Sequence, residues 1–303
     1  MTHPLRFGII SLQNMPWQTI VEHWQHIESL GYDSLWIADH FLNPHNLEDD
    51  WFDGWSLLAA LATKTSTIRI GTLVTNIIYR NPAVLARQAQ TLDHISNGRL
   101  ELGIGATSER DPSHRMTGVE NWSKSERVSR FREIVEIVDL MLRQDTTTYT
   151  GHYYQVSESR IRPSAIQKPR PPLTIASAGS ATLKVTAQFA DSWNTFGGFG
   201  LSTQENLAVT RQRCEMLEDH CAKIGRDPGE IRRSFLVGVT QDTPFASLEA
   251  FYDFIGRFQQ LGFSEFIFYY DYQALPPDRC MDREMLKRIA TEAIPALRKN
   301  EAS

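Results

Sequence analysis

The stretch from Ile68 to Thr107 constrains the fold of this chain more than any other. Ile68 to Thr75 is an apolar, β-branched run that predicts a buried strand, closed by the polar turn Arg80-Asn81-Pro82. Pro82 suits the first position of a helix, where a missing N–H costs nothing, and Asn81 suits the N-cap. Ala83, Leu85, Ala86, Ala89, Leu92 and Ile95 then recur at helical spacing until Asn97-Gly98 stops the helix. A second apolar run, Leu100 to Ile104, ends in a Gly103-Ile104-Gly105 turn and a polar loop. Strand, helix and strand in this order form a βαβ unit, whose two strands lie parallel through a right-handed crossover.

The rest of the chain repeats the alternation. Leu5–Ile10, Leu35–Ala38, Leu173–Ala176, Ser192–Thr195, Phe235–Val239 and Phe266–Tyr269 read as further short buried strands. Between and after them, helices are predicted over Trp17–Leu30, Gly54–Thr63, Glu126–Arg143, from Ser180 to near Ala190, and over Glu205–Lys223, Leu248–Leu261 and Met281–Arg298. Open doubly wound sheets share this pattern, but eight strands in 303 residues favour an α/β fold of the (β/α)8 TIM-barrel type, one domain over residues 1–303. Two connections, Thr107–Lys124 and Thr146–Pro172, exceed normal loop lengths and are expected to be functional lids inserted at the C-terminal face.

Composition narrows the class of partner. A net charge of −5 without any basic run argues against nucleic acid or a membrane surface, leaving a small molecule as the expected partner. The N-terminus enters a strand within a few residues, with no signal-peptide pattern, and Cys214, Cys221 and Cys280 read as reduced thiols of a cytoplasmic protein. Neither HExxH, nor an EF-hand loop, nor any other metal-ligand spacing occurs, so no metal is expected.

In a (β/α)8 barrel the active site forms just past the C-terminal ends of the strands. Asp39-His40 follows strand two, pairing a carboxylate with an imidazole able to exchange a proton near neutral pH; a helix cap and a surface histidine would look the same. Thr75-Asn76 follows strand three. Gly105-Ala106-Thr107-Ser108 follows strand four, and Ser177-Ala178-Gly179-Ser180 follows strand five and opens a helix; glycines, hydroxyls and a helix N-terminus suit a phosphate, although an ordinary N-cap reads alike. Trp51 and Trp55 are candidate pocket walls.

Taken together, LWIADHF (Leu35–Phe41), GTLVTNIIYRNP (Gly71–Pro82), LDHISNGRLELGIG (Leu92–Gly105), GHYY (Gly151–Tyr154), PPLTIASAGS (Pro171–Ser180), ADSWN (Ala190–Asn194) and GRDPGEI (Gly225–Ile231) resemble the bacterial luciferase-like monooxygenase superfamily, in its F420-dependent oxidoreductase branch. The resemblance implies a cleft for coenzyme F420, a deazaflavin, or alternatively for FMN. It makes His40 the proton donor or acceptor, places Asp39 against the cofactor, and makes Val74, Thr75 and Asn76 the wall behind the ring, where the family often has a non-proline cis peptide. Ala106, Thr107 and Ser108 with Ala178, Gly179 and Ser180 would hold the cofactor phosphate. Glu109 is a candidate acid, one residue from the place where some F420 enzymes carry a glutamate.

The implied activity is hydride transfer between the deazaflavin and a small organic substrate. One alternative is an FMN-dependent two-component monooxygenase using O2 and a partner flavin reductase; another is a flavin-binding protein without catalysis. The family habit also implies a homodimer.

Overall fold

The computed structural model describes residues 3–43, 46–270, 275–276 and 278–301, without the side chains of 300 and 301. The first half of the chain runs β1 (Arg6–Ile10), α1 (Trp17–Ser29), β2 (Ser34–Ile37), α2 (Gly54–Ala62), β3 (Arg69–Thr72), β4 (Thr75–Asn76), α3 (Pro82–Ile95), β5 (Leu100–Gly105), α4 (Ser113–Thr117) and α5 (Lys124–Arg143). There follow β6 (Thr147–Thr150), β7 (Gln155–Ser159), β8 (Leu173–Ala176), α6 (Ser180–Phe189), β9 (Ser192–Thr195), α7 (Thr203–Lys223), β10 (Arg232–Val237), α8 (Leu248–Gln259) and β11 (Phe263–Tyr269). The described chain ends in α9 (Arg283–Arg288), a π-helical turn (Ile289–Ala293) and α10 (Ile294–Glu301).

All strands except β6 and β7 join one parallel sheet, which closes on itself because β3 pairs with both β2 and β5. With β3 and β4 as two halves of one strand, this is the expected (β/α)8 barrel. Parallel barrel strands are covered on both faces, so even their polar side chains are withdrawn from water. All four residues of β2 and all six of β5 are accordingly buried. The side between β10, β11, β1 and α8 is packed with phenylalanines, among them Phe235 and Phe258 with ring centroids 4.2 Å apart. At the N-terminal end of the barrel Arg6 Nη2 donates to Glu101 Oε1 at 2.7 Å, and Arg69 reaches the same oxygen.

The predicted third strand, Ile68–Thr75, is interrupted. Its two halves are separated by Leu73 and Val74, which are joined by a non-proline cis peptide. The bond lies at the leading edge of the Val74-Thr75-Asn76 segment expected to carry one. Glycines accommodate this break: a Cβ on Gly103 would sit 1.9 Å from the Thr72 carbonyl oxygen, and one on Gly105 would sit 2.4 Å from Val74 Cγ2. The predicted last helix over 281–298 begins at Arg283, after the Asp282 cap, and is broken by the π turn. The sequence between β2 and α2 reads as a long loop through Asn43-Pro44-His45, of which residues 44 and 45 lie outside the described residues.

The two long connections separate in role. Residues 107–123 stay at the C-terminal face and include α4. Residues 146–172 do not form a lid there. They make the antiparallel hairpin β6–β7, whose tip docks on α5, and then run along α3: Arg87 donates to the Arg160 carbonyl, and Gln167 donates to Asp93 and to the Leu100 carbonyl at the start of β5. Glu133 of α5 explains the docking, since its buried carboxylate accepts the backbone N–H groups of His152, Tyr153 and Tyr154 at 2.8, 2.9 and 3.1 Å.

Candidate active site

At the C-terminal ends of β5, β8 and β9 lies a cavity of about 710 Å³. One part of its wall is apolar, with Val74 at the break in strand three and Phe196 after β9. Another part is polar, with Thr107, Ser108, Ser177, Ser180 and Thr182. Here α6 begins at Ser180 behind Gly179, which has no side chain to cap it, so its first N–H groups lie at the cavity without a built-in side-chain acceptor. Such a helix end suits an anion. A second cavity, of about 730 Å³, opens at the opposite end near His3, Arg233 and Gly262. It lies away from the strand ends where barrel chemistry is built.

Val74, Ala106, Thr107, Ser108, Glu109, Ala178, Gly179 and Ser180 all line the first cavity. Asp39, His40, Thr75 and Asn76 do not; they form a polar layer beside it. Two basic residues at the cavity were not legible in the sequence: Lys124 and Arg127, from the first turn of α5. Arg127 is buried, and its Nη2 donates to Asn121 Oδ1 and to the Trp122 carbonyl at 2.8 and 2.7 Å. Its Nε is buried without a hydrogen-bond partner. Helical periodicity marks Arg127 only as one more polar residue; nothing local says that α5 starts at the pocket.

The polar layer departs from expectation at Asp39, which is turned away from the cavity. Its carboxylate accepts Arg80 Nε at 2.8 Å, Arg80 Nη2 at 2.5 Å and the Asn76 N–H at 3.1 Å. Burial raises the Asp39 carboxyl above its ordinary value, with Arg80 and the Asn76 N–H pulling the other way. Arg80 also packs over Trp55, 5.7 Å from the ring centroid. Trp55 is therefore core beneath an ion pair, while the Trp51 indole donates to the His40 carbonyl.

His40 faces a different acid. Its Nδ1 is 3.5 Å from Asp111 Oδ2. Asp111 accepts the Ser113 N–H at 2.9 Å on Oδ1 and Asn76 Nδ2 at 3.2 Å. Burial works against ionising Asp111, but the His40 and Ser113 hydrogen bonds outweigh it and hold the carboxyl down to about 2. Asn76 Oδ1 in turn accepts the Thr107 hydroxyl at 2.6 Å, so a chain of contacts runs from the cavity wall to the imidazole. Thr107 takes a positive φ of 61°, a conformation side chains rarely adopt, and it is this turn that aims its hydroxyl at Asn76. Among the described residues no group of three or more His, Cys, Asp or Glu could hold a metal ion, and no helix is long and apolar enough to cross a membrane.

The family model for luciferase-like monooxygenases matches residues 2–291. The chain belongs to that family. An F420-dependent glucose-6-phosphate dehydrogenase of Amycolatopsis mediterranei is 29% identical over 213 residues, 68% of this chain and 62% of that protein. A 5,10-methylenetetrahydromethanopterin reductase of Archaeoglobus fulgidus is 30% identical over 189 residues, 62% of this chain and 52% of that protein. The chain thus matches between half and two thirds of the length of these curated relatives. Among solved structures, an F420-dependent secondary alcohol dehydrogenase in complex with an F420–acetone adduct superposes with a TM-score of 0.80 at 18% identity, covering 97% of this chain and 99% of the other, which establishes a shared fold.

Proposed function

We propose that this luciferase-like protein is an F420-dependent oxidoreductase that transfers a hydride between the deazaflavin and a small organic substrate. The observation carrying the reading is the two-sided cavity at the strand ends, apolar at Val74 and anion-ready at α6, Thr107, Ser108 and Arg127. The residues present fit the group. An uncapped helix N-terminus beside the Thr107 and Ser108 hydroxyls matches a phosphate, and the glycine at 105 lets Val74 lie against the cavity floor. The names of the relatives favour F420 over FMN.

Bound there, the deazaflavin supplies a ring carbon that accepts or donates hydride. The protein contributes position and proton traffic. Val74, in the cavity wall, would form an apolar backing for the ring. A hydroxyl-bearing carbon that gives up hydride must also lose its O–H proton, and His40, whose side chain is 41% exposed, presents an edge that can take it. Glu109, exposed at the cavity rim, is a second group able to exchange a proton there. Phe41 after β2, Phe52 ahead of α2 and Val84 in the first turn of α3 are exposed apolar side chains, and sedimentation velocity tests the homodimer that we also propose.

Titration of the purified protein with F420 and with FMN, followed by fluorescence quenching, tests the reading. Tight FMN binding without F420 binding overturns it in favour of a two-component monooxygenase. His40→Ala is expected to cost about 10²–10⁴ in turnover while leaving cofactor affinity nearly unchanged; unchanged turnover removes His40 from the chemistry.

A further inference from the structure

The sequence pairs His40 with its neighbour Asp39, but the fold gives Asp39 to Arg80 and leaves His40 facing Asp111. We propose that Asp111 is the positioning residue for His40, holding the ring so that Nδ1 carries the proton and Nε2 presents the lone pair to the substrate.

Three observations support this assignment. His40 Nδ1 is buried and makes no hydrogen bond, with Asp111 Oδ2 3.5 Å away, although the side chain as a whole is 41% exposed. The Nδ1 edge of the imidazole therefore faces a carboxylate. An ionised carboxylate only accepts hydrogen bonds, so the nitrogen turned to it must be the N–H.

Asp111 is also fixed in place. Ser113 N–H holds Oδ1 and Asn76 Nδ2 is a donor to Oδ2. The orientation of the Asn76 amide is not arbitrary, because its Oδ1 takes both the Thr107 hydroxyl and the Ile78 N–H at 3.0 Å, leaving the NH2 for Asp111. Finally, among the described residues the neighbouring acid Asp39 is already paired. Asp39 is neutralised by Arg80, with Asp53 3.7 Å beyond the guanidinium, and Tyr79 donates its hydroxyl to the Asp39 carbonyl. The 3.5 Å separation is long for a hydrogen bond, and catalytic contacts of this kind tighten when substrate closes the site. Because Thr107 lines the cofactor cavity, the same chain of contacts ties the seating of that loop to the orientation of the base.

The catalytic consequence rests on the oxidoreductase reading; the tautomer does not. Protein labelled with 15N-histidine, without cofactor, gives the His40 tautomer from long-range 1H–15N correlations, assigned with His40→Gln. Wild type is expected to show neutral His40 protonated on Nδ1, and Asp111→Ala to shift it to Nε2–H, while Asp111→Asn, which keeps an acceptor oxygen, restores Nδ1–H. With cofactor and substrate, Asp111→Ala is expected to lose on the order of 10² in kcat with unchanged cofactor Kd, and Asp111→Asn to recover most of it. An Nε2–H tautomer in wild type, or the same tautomer in Asp111→Ala, overturns the proposal even where F420 turnover is intact. The wild-type spectrum decides without requiring any variant to fold.

Discussion

Arg80 grips Asp39 with two hydrogen bonds, Nε to Oδ2 at 2.8 Å and Nη2 to Oδ1 at 2.5 Å, at the point where β2 and β4 end. The pair is almost wholly withdrawn from water, and the same carboxylate receives the Asn76 N–H, so it ties the second and third barrel strands together above the core.

Removing one partner of such a pair leaves a buried charge uncompensated, which costs about 3–5 kcal/mol. Arg80→Ala is therefore expected to lower stability by about that amount in urea denaturation. Adding Asp39→Asn to Arg80→Ala removes the orphaned charge and should recover part of the loss. A double variant less stable than Arg80→Ala would show that the carboxylate has other support.

The anion end of the cavity makes a graded prediction. Lys124 is exposed, so Lys124→Gln should weaken cofactor binding by about 1 kcal/mol at most, roughly fivefold, and the difference should shrink as salt is raised. Arg127 brings a buried, unpartnered Nε to the same wall. Arg127→Gln is expected to weaken binding more than Lys124→Gln and to respond less to salt, because buried charges are screened less. Isothermal titration at two ionic strengths separates the two cases.

How much of this was legible in the sequence depends on the range over which each feature is decided. The βαβ unit at 68–107 carries its own strand, cap and stop signals, so the barrel could be read from local pattern. The turn residues lining the cavity could be read because barrel chemistry always sits at strand ends. Partner choice could not. Nothing adjacent to Asp39 announces Arg80, 41 residues on, and nothing near His40 announces Asp111 across the barrel rim. The role of 146–172 was misread for a related reason: length suggested a lid, but the acceptor that docks it, Glu133, lies on another element and looks like any helix-surface glutamate.

Glu133 itself can be tested. Its carboxylate serves three backbone N–H groups at the hairpin tip, and a Cβ on Gly151 would lie 2.3 Å from Oε2. Glu133→Ala leaves those donors without their acceptor and should cost about 1–3 kcal/mol. Limited proteolysis is expected to cut within residues 150–155 in the variant before any other site. A protected hairpin in Glu133→Ala would mean that Arg130, stacked 4.2 Å from the Tyr153 ring centroid, holds the tip alone.

Acid should reveal Asp111. Its folded-state carboxyl titrates at about 2, below the ordinary 3.8, because hydrogen bonds from His40 and Ser113 favour the ionised form over the burial that opposes it. A group depressed on folding stabilises the native state above its unfolded value, and that contribution disappears as pH falls through the folded value. Stability at pH 5 and above should therefore contain the full Asp111 contribution, which is lost between about pH 4 and pH 2. In Asp111→Asn that carboxyl no longer titrates. Its stability is expected to fall less steeply than wild type across the same window, with the two curves converging toward pH 2. Parallel curves from pH 5 to pH 2, by thermal unfolding in matched buffers, would show that the Asp111 contacts do not discriminate between the protonated and ionised carboxyl.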